Sequence, residues 1–427
     1  MKIIFVDELE SSRANGIGTF RRMLLPALAK ETEVIVLGLQ AGVDKPSVIE
    51  DDGITEYFFP NFTDEDGGWR ANGGKIFGML SEVLPDSQEN VFLINHSPCA
   101  PFIDELKKRF PQSKTAFVIH DHGWCGPLLG SQKLLRQIVV GGKTPRRVSD
   151  ETMAHVRDYC AKEREIYRRV DAVVALSDTC RRTLIDIYDV PAGKIHVIPN
   201  GYISPAGKRP TRHQARKRLG IGEDEEIVIF AGRTVRHKGI EPLLMALGEL
   251  RKTHPRLRCV MCGSLSGFSN YGRLIEPVAA SLIMTGFIPP DRLRYWYAAA
   301  DVGVMPSYSE PFGYSGIEMA DAGLPVVVAD GNCLTDIYED GVNGFVASIG
   351  RDVTRTAPFV RSLTAKIDEA LTCPASKRSE IVSESRRRIR SLYSVDRMAA
   401  SYLSMFRSIV AKQLSINKIF NNRSKLI

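Results

Sequence analysis

Short apolar runs of strand length recur along the chain, and each is followed by turn residues and a helical pattern. Runs that are apolar at nearly every position are typical of parallel strands covered on both faces by helices. The first set is KIIFV (2–6), EVIVLGL (33–39), NVFLINH (90–96), TAFVIHD (115–121), AVVALS (172–177) and KIHVIPNG (194–201). The second set is EIVIFAG (226–232), RCVMCG (258–263), MTGFI (284–288), VGVMPS (302–307), PVVVAD (325–330) and GFVAS (344–348). The pattern predicts an α/β protein with two parallel sheets.

A basic, proline-containing segment, SPAGKRPTRHQARKRLG, separates the two sets and predicts a domain boundary near 200–210. The length of 427 residues fits two domains at roughly 100–200 residues each. We expect an N-terminal domain over 1–203 and a C-terminal domain over 204–394. Ligands of open α/β sheets bind outside the carboxyl ends of the strands. We therefore expect two Rossmann-like domains that face each other across a cleft.

The last helical pattern carries a single apolar stripe. The stripe consists of Met398, Tyr402, Met405, Phe406 and Ile409. This spacing predicts a helix, over about 395–416, that packs one face against another element.

Composition excludes several classes of protein. The formal net charge of +7 fits anionic small substrates or an anionic membrane surface, and no interleaving of basic and aromatic residues points to nucleic acid. The first apolar run, IIFV, is too short for a signal peptide, and no stretch approaches the ~20 apolar residues of a membrane-spanning helix. We expect a cytoplasmic protein with reduced thiols. Cys259 and Cys262 lie in one apolar run, where a strand would point them to opposite faces, so we expect no zinc site.

The segment EPFGYSGIE, from Glu310 to Glu318, starts just after a predicted strand and leads into a predicted helix. Its glycines and the start of the helix present backbone N–H groups that suit a phosphate. Glu310, in the loop, can accept hydrogen bonds from sugar hydroxyls. Glu318, in the helix, can accept both hydroxyls of a ribose. One short segment could thus hold a sugar, a diphosphate and a ribose, whereas the alternative is a surface loop with two solvated glutamates.

The segment FAGRTVRHKG (230–239) also links a predicted strand to a predicted helix, and Arg233 and Lys238 lie between the two. Such a pair can clamp a diphosphate and stabilise the charge that develops as it leaves. The alternative is a solvated basic loop.

The N-terminal half supplies the remaining candidates. Gly16 and Gly18 of ANGIGTF let the backbone approach a ligand at a helix start, although the third glycine and the acidic residue of a dinucleotide site are missing. His120, with Asp121 beside it, ends the strand of VIHDHGW and is expected at a ligand. His96 and His122 are weaker candidates on the acceptor side. Segment 123–160, with its mixture of apolar and basic residues, is expected to be an acceptor-binding flap, a membrane-surface patch or a pair of capping helices.

These residues resemble the family-four retaining glycosyltransferases with the GT-B fold. Glu310 and Glu318 are similar to the E-x7-E pair of that family, with Phe312, Gly313, Tyr314 and Ser315 between them on the donor side. Arg233 and Lys238 match its diphosphate-binding pair, Gly16 its glycine-rich loop, and His120 its histidine near the transferred sugar. In that family the donor lies mainly against the C-terminal domain, the acceptor against the N-terminal domain, and the last helix crosses back to the N-terminal domain. Departures are the NGIG loop and the segment ADGNCLTDIYEDG, where the family often has paired glycines.

The resemblance implies transfer of a sugar from a nucleoside diphosphate donor, UDP or GDP, to a hydroxyl of a glycan, a lipid carrier or a peptide, with retention. Arg233, Lys238, Glu310 and His120 would be catalytic, and no metal ion or further cofactor is expected. Peripheral membrane contact through basic segments of the N-terminal domain is also expected. The alternatives are a paired-carboxylate hydrolase, a GT-B-type sugar-nucleotide epimerase, and a non-catalytic nucleotide-sugar-binding or scaffolding protein.

Overall fold

The computed structural model describes residues 1–8, 16–61, 68–95, 99–141, 145, 147–264, 266–331 and 333–423, with the side chains of 68–69 and 412–423 left aside. By its internal contacts the chain forms two compact units. The first unit comprises Met1–His122, Ala154–Gly201 and Tyr393–Ile427. The second comprises Gly123–Met153 and Tyr202–Leu392.

The first unit is built on an eight-stranded sheet. Its strands are β1 (Lys2–Glu8), β2 (Glu33–Leu39), β3 (Ser47–Asp51), β4 (Ile54–Phe58), β5 (Asn90–Ile94), β6 (Lys114–Val118), β7 (Ala172–Ala175) and β8 (Ile195–Val197). They lie in the order β3-β4-β2-β1-β5-β6-β7-β8. The six strands predicted from apolar runs are confirmed, and they pair in parallel. The sheet is parallel, as predicted, except at one edge, where an additional strand, β3, pairs antiparallel with β4. The residues of β3 are exposed throughout, and its two apolar residues, Val48 and Ile49, are too short a run to predict a strand.

The second unit is built on a six-stranded, all-parallel sheet. Its strands are β9 (Glu226–Ala231), β10 (Leu257–Cys262), β11 (Leu282–Gly286), β12 (Val302–Met305), β13 (Val326–Ala329) and β14 (Phe345–Ala347). Their order is β11-β10-β9-β12-β13-β14, and each pairing is parallel. Every strand predicted from the second set of apolar runs is therefore confirmed.

Helices cover both sheets. Numbered along the chain, they are α1 (Gly16–Ala29), α2 (Gly68–Ala71), α3 (Gly73–Val83), α4 (Ala100–Arg109), α5 (Gln132–Val139), α6 (Asp150–Arg169), α7 (Asp178–Asp186), α8 (Arg212–Leu219), α9 (Ile240–Leu250), α10 (Gly272–Ile275), α11 (Pro290–Ala299), α12 (Tyr314–Ala322), α13 (Leu334–Ile337), α14 (Thr356–Thr372), α15 (Ala375–Leu392) and α16 (Val395–Arg423). Short 3₁₀ turns lie at Ala192–Lys194, Arg236–Lys238, Phe268–Tyr271 and Glu276–Ser281. Ser177 is the N-cap of α7, because its hydroxyl accepts a hydrogen bond of 3.1 Å from the Cys180 N–H.

The last helix, α16, belongs to the first unit. Its predicted apolar stripe is buried from Met398 to Ile409. The ring of Tyr402 lies 6.0 Å from the ring of Phe20 on α1, and the Gly201 N–H points at the sulfur of Met398 at 3.0 Å. The helix therefore returns to the N-terminal unit, as the resemblance implied.

Segment 123–153 differs from the sequence-based division, which assigned it to the N-terminal domain. Its Leu129 is buried in the core of the second unit together with Phe230 and Ile240. Arg147 donates to the Thr354 hydroxyl at 2.9 Å and lies 3.3 Å from the Asp352 carboxylate. The segment belongs to the second unit because Leu129 and Arg147 contact residues that are distant in the sequence. A local sequence pattern cannot predict such contacts.

None of the helices in the described part of the chain combines the length and the apolar character that crossing a membrane requires.

Candidate functional site

The lysine loop, residues 232–239, connects β9 to α9 in the second unit. Arg233 is exposed, and Lys238 ends a 3₁₀ turn. The next residue, Gly239, has a φ of 75°, and a Cβ built there would overlap the carbonyl oxygen of Pro306. The close approach and the left-handed backbone both require glycine. The lysine loop is thereby pressed against the segment that follows β12.

The glutamate loop, residues 306–313, follows β12 and leads into α12. Gly313, at the N-cap, has a φ of 90°. A Cβ there would lie 3.0 Å from Leu334 and 3.3 Å from Glu310. The rings of Phe312 and Tyr314 meet edge to face at 5.0 Å. Glu310 thus lies in the loop and Glu318 in the helix, as predicted.

The two loops are joined by an ion pair and by their backbones. The Lys238 ammonium lies 2.6 Å from the Glu310 carboxylate, and the two side chains are 14% and 13% exposed. The Tyr308 N–H donates to the His237 carbonyl at 2.8 Å. The Cys333 thiol lies 2.7 Å from the Glu310 carbonyl. Two predicted segments 72 residues apart in sequence are therefore brought together, with a cation and a carboxylate at the carboxyl ends of neighbouring strands.

Arg233 contributes to the same positive region. Burial lowers the pKa of His237 to about 4, and the cations Lys238 and Arg233 add to that effect. His237 is therefore neutral at pH 7. Within the described residues, its buried Nε2 has no hydrogen-bond partner. Both predicted cations thus lie on the lysine loop and contribute to the electrostatic environment of His237.

Glu318 is held by a residue that sequence reasoning did not select. The Tyr297 hydroxyl, on α11, donates to Glu318 Oε2 at 3.0 Å. Burial raises the pKa of Tyr297 well above its usual range, and the Glu318 carboxylate adds to the effect. The phenol therefore stays protonated and serves as a donor. No local spacing links these positions, because the contact joins two helices.

In the first unit, His120 lies against α1, the helix that begins with the two predicted glycines. α1 begins at Gly16, which is exposed, and Gly18 is buried. One turn later, the ring of Phe20 meets the His120 ring edge to face at 4.8 Å. His120 Nε2 makes a short hydrogen bond with the side-chain oxygen of Asn95. His120 lies two residues beyond the end of β6 and is partly exposed, so it can present one edge of its ring to a ligand.

The acceptor-side candidates divide between surface and interior. Asp121 is exposed and accepts a hydrogen bond of 2.9 Å from the His122 N–H. His122 is 8% exposed. Its Nδ1 lies 3.5 Å from the Glu163 carboxylate and 3.3 Å from the Tyr167 hydroxyl. The third candidate, His96, lies outside the described residues.

The environment of His122 makes it a buried cation. The Tyr188 ring stacks on it at 5.3 Å, and Cys180 Sγ lies 3.6 Å from its Nε2. Burial alone would lower its pKa, but the Glu163 charge, with the hydrogen bonds of Cys180 and Glu163, raises the pKa to about 10. His122 therefore forms an internal ion pair with Glu163. Sequence reasoning did not find Glu163, because the pairing is tertiary.

In the described ranges, no group of three or more His, Cys, Asp and Glu side chains is arranged to hold a metal ion. Cys259 and Cys262 are both buried on β10. Burial raises the pKa of Cys259 to about 12 and that of Cys262 to about 11, which keeps both thiols protonated.

Two families match the two halves of the chain. The family described as glycosyl transferases group 1 matches residues 211–388. The family described as Glycosyltransferase Family 4 matches residues 14–203.

Curated relatives include D-inositol 3-phosphate glycosyltransferases of several bacteria. That of Salinispora arenicola is 32% identical over 364 residues, which cover 79% of this chain and 77% of the relative. That of Corynebacterium kroppenstedtii is 30% identical, with 67% of this chain and 70% of the relative covered. That of Acidothermus cellulolyticus is 31% identical, but the match spans only 58% of this chain and 59% of the length of the relative.

Solved structures with the same fold include sucrose-phosphate synthase from Thermosynechococcus elongatus, with a TM-score of 0.72, 19% identity, and coverage of 96% of this chain and 100% of that chain. HepE from Anabaena, solved in complex with UDP, has a TM-score of 0.63, 18% identity, and coverage of 96% and 100%. At these identities the likeness concerns the fold. With the family matches and the Salinispora and Corynebacterium relatives, these findings establish that the chain belongs to the group 1 glycosyltransferases and has the GT-B fold of two parallel-sheet α/β domains.

Proposed function

We propose that the chain transfers a glycosyl group from a nucleoside diphosphate sugar to an acceptor hydroxyl, with retention of configuration and without a metal ion. The observation that carries this proposal is the Lys238–Glu310 pair at 2.6 Å. It combines a phosphate-binding cation with a hydroxyl-binding carboxylate at one point. Arg233 on the same loop adds a second cation, and α12 begins four residues after Glu310.

Each of these groups has a task in the reaction. Arg233 and Lys238 neutralise the donor diphosphate and stabilise the charge that grows as it leaves. The N-terminus of α12 adds its backbone N–H groups at the same anion. Glu310 orients the sugar through its hydroxyls, and Glu318 receives the ribose. Fixed cations thus do the work for which other enzymes use a divalent ion.

Retention follows from front-face substitution. The bond between the anomeric carbon and the diphosphate oxygen breaks, an oxocarbenium-like centre forms, and the acceptor oxygen bonds on the same face. The departing diphosphate takes the acceptor proton, so no enzyme nucleophile is required. His120, beside Phe20 in the first unit, positions the sugar near the reacting carbon. A carboxylate-pair hydrolase is less consistent with the contacts, because Glu310 is paired with a cation and Glu318 with a phenol.

The comparisons support UDP as the nucleotide, since the structural neighbour HepE was solved with UDP and with UDP-glucose. The acceptor class is a hydroxyl compound: a glycan, a lipid carrier or a peptide. The names of the curated relatives add D-inositol 3-phosphate as the first small acceptor to test. The basic last turn of α4, Lys107 to Arg109, supports contact with an anionic membrane surface on the cytoplasmic side.

The test is release of nucleoside diphosphate from a panel of UDP and GDP sugars, with excess chelator, and with and without acceptor. We expect slow release of nucleoside diphosphate without acceptor and faster release with a suitable acceptor. By NMR, the anomeric configuration of the product should be the same as that of the donor. Lys238→Ala and Glu310→Ala should abolish release. Lys252→Ala, which removes an exposed ion pair with Glu249 in the same unit, is the matched control and should behave as wild type. Normal turnover in both loop variants, or an inverted product, would contradict the proposal.

A further inference from the structure

Tyr297 is a buried tyrosine whose hydroxyl points at the carboxylate that we assign to the ribose. It lies on α11 and is 5% exposed. Its hydroxyl donates to Glu318 Oε2 at 3.0 Å across the boundary between α11 and α12. At this burial the phenol is too deep to contact a ligand itself. Any effect on ligand binding must therefore pass through Glu318.

The surroundings keep the Tyr297 hydroxyl protonated. Burial raises its pKa well above the usual range, and the Glu318 carboxylate acts in the same direction through its charge and its hydrogen bond. The Tyr202 hydroxyl donates a hydrogen bond of 3.0 Å to the Asp321 carboxylate of α12. Glu318 therefore belongs to a helix that is tied on one side to α11 and on the other to the segment that enters the second unit. The carboxylate is partly exposed, which leaves it able to meet a ligand.

We propose that Tyr297 is a positioning residue that sets the selectivity of the donor site for ribose over deoxyribose, by holding the Glu318 carboxylate in the orientation in which it accepts the 2′- and 3′-hydroxyls. This inference rests on the proposed function, in particular on Glu318 as the ribose ligand.

The physical reason is preorganisation. A glutamate side chain has three rotatable bonds, and freezing them on binding weakens affinity. Tyr297 fixes one carboxylate oxygen before the ligand arrives, so that less freedom is lost when the ribose binds. A ligand without these hydroxyls gains nothing from the fixed carboxylate and leaves a polar site poorly satisfied, which is the arrangement that discriminates most strongly between analogues. The diphosphate and the reacting carbon lie at other residues, so the rate of the chemical step is not affected.

The experiment compares Tyr297→Phe with wild type, using UDP and 2′,3′-dideoxy-UDP as ligands in calorimetry and UDP-glucose in the release assay. We expect the Kd for UDP and the KM for the donor to rise about 5- to 10-fold, as for loss of one typical intramolecular hydrogen bond. We expect kcat to stay within about twofold, and the Kd for dideoxy-UDP to be unchanged. In a Glu318→Ala background, Tyr297→Phe should have no further effect, because the two residues act as one unit.

Tyr295→Phe is the matched control. Tyr295 lies on the same helix, two residues away, and its ring packs under the Arg218 guanidinium at 4.5 Å instead of bonding a carboxylate. Loss of its hydroxyl should leave both Kd values unchanged.

A second variant covers the case in which Tyr297→Phe does not fold. Ring-fluorinated tyrosine introduced at position 297 keeps shape and hydroxyl but makes the phenol a stronger donor. It should change the Kd for UDP about twofold and leave that for dideoxy-UDP unchanged.

The outcomes separate this inference from the function on which it rests. Equal changes for UDP and dideoxy-UDP, additive effects with Glu318→Ala, or a fall in kcat alone would overturn the positioning role while the transferase assignment stands. Wild-type protein that binds neither UDP nor GDP and releases neither from any donor would overturn the proposed function itself.

Discussion

Each unit contains a cation–carboxylate pair that includes at least one residue singled out in the sequence, and the two pairs differ in their access to water. In the second unit the Lys238 and Glu310 side chains are 14% and 13% exposed. In the first unit the His122 and Glu163 side chains are 7% and 2% exposed. At the ends of two strands and in contact with solvent, either side chain of the pair can exchange the other for a ligand. A pair enclosed by Tyr167 and Tyr188 cannot do so without opening the fold.

The difference also changes what removal of one partner does. Removing one member of a buried pair leaves an uncompensated charge and costs about 3–5 kcal/mol. Partly exposed groups are reached by water and lose much less stability. Similar chemistry thus serves stability in one unit and, as we propose, ligand binding in the other.

The largest expected effect is on the buried pair. His122→Ala should lower the free energy of unfolding by about 3–5 kcal/mol, because it leaves Glu163 buried without its cation. Thermal and urea unfolding followed by circular dichroism measure this. His155→Ala, on the exposed face of α6, is the control and should change stability by less than about 0.5 kcal/mol. If His122→Ala is as stable as this control, the buried pair does not hold the first unit together.

The second-largest effect is expected on the partly exposed pair, Lys238 and Glu310. Lys238→Met keeps the stem of the side chain but removes its charge, so kcat for donor cleavage should fall roughly 10²- to 10³-fold, as when one transition-state donor is lost. The melting temperature should stay close to that of wild type. Arg236→Met, on the same loop and exposed, is the matched control for charge. A large fall in melting temperature with normal kcat would make the Lys238 pair structural, like that of His122, and remove the contrast.

The third effect is the pH dependence of stability. His122 has a pKa raised to about 10 in the folded protein and about 6.5 when unfolded. Its contribution is therefore fully present below pH 6.5 and is lost as the pH rises towards 10. Between pH 6 and 8.5 we expect wild type to lose about 2 kcal/mol that His122→Ala does not lose. Urea unfolding of wild type and His122→Ala between pH 6 and 8.5 measures this difference. If the free energy of unfolding changes equally with pH in both proteins, His122 is not charged in the folded state.

The strands were predictable because the sequence repeats a local pattern. β2 (Glu33–Leu39) and β9 (Glu226–Ala231) are nearly continuous apolar runs, and burial on both faces produces such runs. β3 was not predictable, because an exposed edge strand such as SVIED is not buried on either face and so carries no continuous apolar run. The placement of segment 123–153 was not predictable either, since it depends on where Leu129 packs.

The candidate site divides in the same way. Lys238, Glu310 and Glu318 were predictable, because strand ends, glycines and helix starts mark where polar side chains converge. Two partner residues were not: Tyr297, which bonds Glu318, and Glu163, which pairs with His122, are ordinary helix residues whose roles depend on tertiary contacts. A sequence pattern locates the residues that we propose to meet a ligand, whereas the residues that hold them in place appear only when the elements are packed.

The smallest effect concerns His120, which lies two residues from His122 but is partly exposed. We expect His120→Ala to lower kcat about tenfold, as for loss of a hydrogen bond to the sugar, and to change stability little. The release assay and the unfolding measurements above give both values, and His122→Ala in the same assays provides the opposite profile. Asn95→Ala removes the side-chain oxygen that holds the His120 ring, so it should lower kcat by a smaller factor in the same direction. Should His120→Ala lower stability and leave kcat unchanged, both histidines would be structural, and the first unit would have to bind the sugar through other residues, with the start of α1 at Gly16 as the next segment to test.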